Sequence, residues 1–194
     1  MTVNRPALIL MGLMLTTAGA AAAQGAPERA GFWASVQLGY GALETSSDQE
    51  PRDRQGTLAL GFNLGASLNR HVRVGAQMSG WLQEGSDIWN PEKGESVSQV
   101  LAIVLVYPWS TRGLFLKAGA GRAIYTDHDP DGFGSSGWGA TLAAGYDWPV
   151  GARLSLTPVV LYARGTLGDV DNALVTIHDR RYHAFELGVA LTYR

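Results

Sequence analysis

The stretch AFELGVALTYR, residues 184–194, alternates between two kinds of side chain. Large apolar residues take every second position from Phe185 to Tyr193, and small or polar residues such as Glu186 and Gly188 lie between them. Successive side chains of a β-strand point to opposite faces, so the pattern predicts a strand with one large apolar face and one narrow face. This alternation is explained best by a strand whose large face contacts lipid and whose small face lines a narrow polar interior. A face exposed to water would not favour glycine and alanine.

Seven other segments alternate in the same way, which predicts an all-β, eight-stranded antiparallel up-and-down transmembrane barrel. The predicted strands cover residues 32–41, 57–65, 72–82, 97–107, 114–125, 138–148, 153–162 and 184–194.

The fourth predicted strand is ambiguous because both of its faces are apolar. Valine and alanine occupy positions 100, 102, 104 and 106, and larger residues lie between them. We expect the larger set to face outward, by analogy with the closing strand. The predicted outward residues are Leu101, Ile103, Leu105 and Tyr107.

The connections alternate in length. Short turns are predicted around residues 69–71, 108–112 and 149–151, whereas long polar loops are predicted over residues 44–55, 83–95, 126–137 and 165–181. Outer-membrane barrels show this asymmetry, with short periplasmic turns and longer extracellular loops.

Glycines and aromatic residues fit the same barrel. Ten glycines fall on the predicted inner face, where small residues relieve crowding inside a barrel of only eight strands. They are Gly39, Gly41, Gly61, Gly65, Gly75, Gly119, Gly121, Gly139, Gly145 and Gly188. Two outward belts of aromatic residues are expected at the two membrane interfaces. The predicted belts are Tyr107, Trp148 and Tyr193 at the short-turn end, and Tyr40, Trp138 and Tyr162 at the long-loop end.

The first residues are typical of an export signal. Arg5 precedes an uncharged apolar stretch over residues 7–20, and three alanines at 21–23 provide a cleavage-type site. We therefore predict a signal peptide over residues 1–23, a short leader over 24–31 and the barrel over 32–194. The formal net charge of −2 argues against a nucleic-acid partner. The absence of cysteine excludes disulfides and thiol catalysis.

The chain resembles the small outer-membrane β-barrels of Gram-negative bacteria, of the opacity-protein and OmpA-barrel type. The resemblance covers residues 32–194 and rests on the signal segment, the eight strands, the loop asymmetry, the closing stretch FELGVALTY at 185–193 and the glycine-rich stretch GLFLKAGAG at 113–121. It implies a place in the bacterial outer membrane and assembly by the barrel-assembly machinery. One departure is Arg194, because such chains usually end on the aromatic residue itself.

Five charged residues are predicted to face the lumen: Arg73, Lys117, Asp147, Arg153 and Glu186. We expect Asp147 to pair with Arg153 across a short turn and Lys117 to pair with Glu186 deeper inside, because buried charges require compensation. Such a network would plug the barrel, and a narrow ion or small-solute channel is the alternative.

Three arginines fall on the outward face near the long-loop end: Arg122, Arg164 and Arg181. Arginine in the middle of the lipid-facing surface is unfavourable, so we expect them at the outer rim. Lipopolysaccharide phosphates are suitable partners for guanidinium groups, and generic anchoring at the interface is the other interpretation.

The function predicted from these features is structural or surface-interactive and not enzymatic. The loops are expected to contact lipopolysaccharide, ions or external partners of unknown identity, and no cofactor is expected. A lipid-modifying enzyme is an alternative, but none of the four histidines stands in a His-x-Ser pattern. A secreted lipocalin-like carrier is another, because Gly31-Phe32-Trp33 matches the G-x-W start of that family.

The third long loop contains an acidic motif that could bind calcium, although an acidic, solvated loop tip without a metal is the favoured interpretation. Asp127, Asp129 and Asp131 alternate before Gly132, as in the first half of a D-x-D-x-D-G calcium loop, but Trp138 occupies the position of its bidentate glutamate. If the site exists, calorimetry will detect a weak calcium-dependent heat that Asp129→Ala removes. Identical heats for the two proteins would leave only the solvated loop.

Overall fold

The computed structural model describes residues 31–46, 53–83, 95–109, 111, 113–127, 134–171 and 176–194. These residues form nine strands: β1 Gly31–Ser46, β2 Asp53–Ser67, β3 Val72–Gln83, β4 Glu95–Val106, β5 Leu114–Asp127, β6 Gly134–Tyr146, β7 Trp148–Pro149, β8 Leu154–Asp171 and β9 Thr176–Tyr193. The predicted signal segment lies outside the described residues. Among the residues described, no helix is long and apolar enough to cross a membrane.

The strands form one closed antiparallel sheet. Each long strand pairs with the next along the chain, β6 pairs with β8, and β1 pairs with β9 from Ala34↔Tyr193 to Ser46↔Arg181. The two-residue β7 continues β6, because Gly145 pairs with Val159 and Trp148 pairs with Leu156 in one unbroken register. In this register Pro158 lies opposite Tyr146, where β6 ends, and it has no N–H for the ladder. The predicted eight-stranded barrel is therefore confirmed.

The barrel has two different ends. The turn end carries the short connections at residues 68–71, 107–113 and 147–153, and the loop end lies where the strands reach Ser46, Gln83, Asp127 and Asp171. In the first short turn, the side-chain oxygen of Asn69 accepts hydrogen bonds from the backbone N–H groups of His71 and Val72, at 2.8 and 2.9 Å. This arrangement is the usual role of asparagine in a turn.

The fourth predicted long loop is mostly strand. The pairing of β8 with β9 continues through Asp171↔Thr176, with irregularities on both sides of Gly168. Gly168 has a φ of 71°, a left-handed conformation that glycine adopts at little cost and that suits a β-bulge. The hairpin therefore projects beyond the predicted ends of both strands.

The prediction for the faces of β4 is wrong. Ile103 is 4% exposed and points into the barrel, whereas Val100 is 51% exposed and points outward. Leu101, Leu105 and Tyr107 are also buried, so Tyr107 does not belong to the outer aromatic belt. The neighbouring strand explains this choice, because Leu101 pairs with Gly121 and Ile103 pairs with Gly119. A Cβ at residue 119 would lie only 2.7 Å from Ile103 Cγ2, so the inward isoleucine fills the space that the glycine leaves.

The other strands follow their predicted faces. Phe62, Leu64, Leu187 and Leu191 are exposed on the outer wall, while Trp33, Gln37, Lys117 and Glu186 are buried in the lumen. The buried core of this protein is thus the inside of the barrel, and it contains large apolar, polar and charged side chains together. The barrel differs from a water-soluble one in its outer wall, which exposes many large apolar side chains.

Candidate functional site

Asp147 is the centre of a polar cluster inside the turn end of the barrel. It follows β6, and its carboxylate is buried in the lumen. Tyr107 donates its hydroxyl hydrogen bond to Oδ2 at 2.9 Å, and the Thr157 hydroxyl donates to Oδ1 at 2.9 Å. The backbone N–H of Asp147 donates to the Gly113 carbonyl at 3.0 Å, which ties this position to the start of β5. Both carboxylate oxygens are therefore held by the wall of the barrel.

Two arginines compensate the charge of Asp147. Arg73 Nη1 lies 3.8 Å from Asp147 Oδ2, and Arg194 Nη2 lies 3.5 Å from the same oxygen. The Arg73 side chain is 1% exposed, and the Arg194 side chain is 6% exposed. Arg194 also donates a hydrogen bond to the Ser155 hydroxyl. The structure thus encloses one carboxylate between two guanidinium groups.

The prediction that Arg153 pairs with Asp147 inside the lumen is wrong. Arg153 is exposed at the turn end, where its guanidinium donates to the Tyr193 hydroxyl at 3.1 Å. It precedes the first residue of β8, so strand alternation does not direct its side chain inward. Its carbonyl accepts the backbone N–H of Arg194 at 2.9 Å, and Arg194 is the residue that turns into the barrel. Continuing the alternation of β9 by one residue would have revealed this orientation.

A second polar cluster lies further along the lumen. Lys117 and Glu186 are both buried in the lumen, as strand alternation predicts. Gln37 Nε2 donates to Glu186 Oε1 at 2.6 Å, a contact that the sequence did not reveal. Gly39 makes room for this carboxylate, because a Cβ there would overlap its side-chain atoms. Glycine and glutamate on neighbouring strands are therefore matched in volume.

Polar and aromatic side chains occupy the lumen toward the loop end. The Tyr182 hydroxyl donates to Gln99 Oε1 at 3.0 Å, and Gln99 Nε2 donates to the Ser79 hydroxyl at 3.0 Å. The rings of Trp81 and Tyr182 lie 6.1 Å apart between centroids. Nearer the opening, the Arg180 guanidinium lies 4.4 Å from the centroid of the Tyr125 ring, within the range of a cation–π contact. The sequence pattern assigned some of these side chains to the lumen, but it did not predict the hydrogen bonds and ring contacts between them.

Little open space remains in the turn-end half of the lumen. The cavity there has a volume of about 20 Å³, and its lining includes Trp33, Asn63, Arg73 and Lys117. A cavity of this size holds about one water-sized particle. The side chains of the two clusters thus occupy the part of the barrel that a conducting path would need.

The three predicted rim arginines are all exposed on the outer face toward the loop end. Arg122 Nη2 donates to the Ser136 hydroxyl at 2.6 Å, and Arg122 pairs across strands with Trp138, which is 74% exposed. Arg164 pairs with His183, and Arg181 pairs with Thr166, so Arg164 and Arg181 are diagonal neighbours on one face. The three arginines therefore lie within four successive strands of the wall, β5, β6, β8 and β9.

The described part of the chain brings together neither the predicted calcium ligands nor a catalytic group around His183. The side chain of Asp127 and all of Asp129 and Asp131 lie outside the described residues, so the calcium site stays a prediction. Within the described ranges, no group of three His, Cys, Asp or Glu residues could hold a metal ion. His183 is on the outer face, where its Nδ1 is 2.8 Å from the Tyr162 hydroxyl, whereas Glu186 faces the lumen.

Comparisons with known proteins agree with this architecture. The family model described as the outer membrane protein beta-barrel domain matches residues 9–193. The structure of Neisserial surface protein A has a TM-score of 0.55 and 13% identity, covering 82% of this chain and 96% of that chain. OprG from Pseudomonas aeruginosa has a TM-score of 0.45 and 11% identity, covering 87% and 98% of the two chains. No curated protein sequence matches the chain.

The lumen geometry predicts that Asp147 and Arg194 stabilise the barrel and that Arg153 does not. Asp147→Asn leaves two enclosed guanidinium groups without a counter-charge and should lower the free energy of unfolding by about 3–5 kcal/mol. Arg194→Ala should also destabilise the barrel. Urea unfolding in detergent, followed by the difference in gel mobility between folded and unfolded protein, measures both effects. Arg153→Ala is the matched control, and a loss of stability as large as that of Arg194→Ala would contradict the assignment.

Proposed function

The chain belongs to the outer membrane protein beta-barrel domain family and resides in the bacterial outer membrane, and we propose that it is a non-enzymatic, non-conducting structural barrel whose outer rim binds lipopolysaccharide. The filled lumen is the observation that supports the structural, non-conducting role. The observation that supports the second part, lipopolysaccharide binding, is the position of three exposed arginines toward the loop end of the outer wall.

A filled lumen favours a structural role over transport. Ions need a continuous wet path, but the interior contains the Asp147 cluster, the Glu186 cluster and the Trp81–Tyr182 ring contact in succession. The buried carboxylates of Asp147 and Glu186 have counter-charges or hydrogen-bond partners that moving ions would have to disrupt. The exposed apolar outer wall likewise disfavours a soluble lipocalin-like carrier, because water would contact its large side chains. A lipid-modifying enzyme is disfavoured because His183 and Glu186 lie on opposite sides of the wall.

The channel alternative can be tested directly. Refolded protein inserted into planar lipid bilayers should show no unitary current steps, because the lumen side chains block the path. A general porin inserted under the same conditions supplies the positive control, and gel mobility before insertion confirms that the test protein is folded. Reproducible current steps from the folded wild-type protein would refute the non-conducting assignment and support the narrow channel.

The outer arginines favour recognition of phosphate at the membrane surface. Guanidinium groups bind phosphate with two parallel hydrogen bonds, and lipopolysaccharide presents phosphates at the outer interface of this membrane. Arg164 and Arg181 are diagonal neighbours, and Arg122 lies beside the exposed ring of Trp138. An aromatic ring at this level suits the boundary between acyl chains and headgroups. This arrangement suits one lipid headgroup that bridges several strands.

Substitution of the three rim arginines distinguishes specific binding from generic anchoring. The triple variant Arg122→Ala, Arg164→Ala and Arg181→Ala should copurify with less lipopolysaccharide than the wild type. Replacement of the same three residues by lysine keeps the charge and removes the two-pronged geometry, so it should restore binding only in part. The control Arg70→Ala with Arg153→Ala removes exposed arginines at the turn end and should leave the lipid content unchanged. If the triple alanine variant retains wild-type lipopolysaccharide, specific recognition by these residues is wrong.

The closing strand is consistent with recognition by the barrel-assembly machinery. Tyr193 is exposed on the outer face of β9, in line with Phe185, Leu187, Val189 and Leu191. Arg194 follows it but turns into the lumen toward Asp147. We propose that the apolar outer face of this strand is the feature that the machinery recognises, because the additional arginine does not interrupt that face.

A further inference from the structure

Polar atoms converge on the small cavity at the turn end of the lumen. Three buried residues that line it have side-chain nitrogen or oxygen atoms with no hydrogen-bond partner among the described residues. These atoms are Trp33 Nε1, Asn63 Oδ1, and Arg73 Nε and Nη2. Unsatisfied buried polar atoms cost free energy, and several around one cavity indicate a bound polar species. The lining therefore points to a ligand.

The donors of Arg73 suit an anion. Nη1 faces Asp147, whereas Nε and Nη2 lie on another edge of the guanidinium, where their N–H bonds are parallel. The Arg73 guanidinium carbon lies 5.7 Å from the centroid of the Trp33 ring and 5.0 Å from that of Tyr107. Both rings are close enough to pack against the guanidinium and to restrict its movement. Its unpartnered edge and the Trp33 N–H are thus preorganised donors.

The balance of charge favours an anion over a neutral molecule. Among the described residues, three cationic side chains are enclosed in the turn-end half of the lumen, namely Arg73, Lys117 and Arg194. Two carboxylates, Asp147 and Glu186, accompany them, which leaves a formal charge of +1. Asp147 is already bound by Tyr107, Thr157 and two arginines, so its repulsion toward a further anion is compensated. One monovalent anion would neutralise the interior.

The volume sets the size of the occupant. At about 20 Å³ the cavity is close in volume to one water-sized particle, so a single-atom anion suits it better than sulfate, phosphate or an organic acid. Halides are the smallest common anions of this kind. We propose that the Trp33–Arg73 cavity binds a single halide-sized anion, which completes the charge balance of the folded lumen.

Asn63 can supply a further hydrogen-bond donor to this anion. Its Nδ2 donates to the Ser35 hydroxyl at 2.9 Å. Rotation of the amide by 180° exchanges its oxygen and nitrogen with almost no change in shape. Ser35 would then donate to Oδ1, and Nδ2 would become a further donor in the cavity. In this orientation Ser35 satisfies the Asn63 oxygen, and the anion accepts hydrogen bonds from the nitrogens that otherwise have no partner.

The experiment compares the protein refolded in sodium chloride, sodium bromide or sodium gluconate at equal sodium concentration. Gluconate is too large for the cavity, so the thermal unfolding midpoint should be higher in either halide, and it should rise with halide concentration as binding to the folded state requires. Trp33→Phe keeps the ring and removes one donor to the anion. It should weaken the apparent halide affinity by roughly 10- to 100-fold, as expected for a hydrogen bond to a charged group.

Trp81→Phe is the matched control, because it makes the same change at another buried indole that does not line this cavity. It should retain the halide response. Crystals grown in bromide should show an anomalous peak between Trp33 and Arg73. Equal midpoints in halide and gluconate, equal responses of the two tryptophan variants, or absence of the bromide peak would overturn the proposal. A cavity that holds water alone would produce all three of these results.

Discussion

The narrow interior of an eight-stranded barrel is the constraint on which this structure depends. Side chains from all the strands share one small lumen, so a large residue on one strand requires a small residue on its neighbour. Ile103 fills the space beside Gly119, and the Glu186 carboxylate occupies the space beside Gly39. Volume is thus matched between residues that are far apart in sequence, and the positions of the glycines determine where charged and aromatic side chains fit.

The constraint also explains which parts of the fold could be predicted. Strand alternation identified which face of a strand points to lipid wherever the side chains of one face were clearly larger, as in β9. In such strands the contrast between lipid and lumen can be read from the residues of that strand alone. It failed in β4, where both faces are apolar and the decision depends on the neighbouring glycines of β5. Residue size alone suggested the outward face for Leu101 and Ile103. The cross-strand partner, which a single strand does not reveal, placed them inside.

The charged residues show the same limit. Alternation placed Arg73, Lys117, Asp147 and Glu186 in the lumen, and the structure buries all four. It could not select the partner of Asp147, because Arg153 and Arg194 lie opposite each other at the turn end and alternation assigns both of them to the inner face. In the structure Arg153 precedes β8 and is exposed, and of the two only the Arg194 side chain is enclosed beside Asp147. Pairing of charges across strands is a property of register, and register is set by the closure of the whole barrel.

A lumen that is filled by its own side chains restricts where this protein can meet partners. The turn-end cavity is large enough for about one small particle, so larger molecules do not fit in that half of the lumen. The lipid-facing surface is apolar over most of its described length, and polar donors occur on it toward the loop end at Arg122, Arg164 and Arg181. Guanidinium groups at this level can reach the headgroup region while their stems remain among acyl chains. On the proposed function, the same constraint that fills the turn-end lumen leaves lipid recognition to the exposed arginines of the rim.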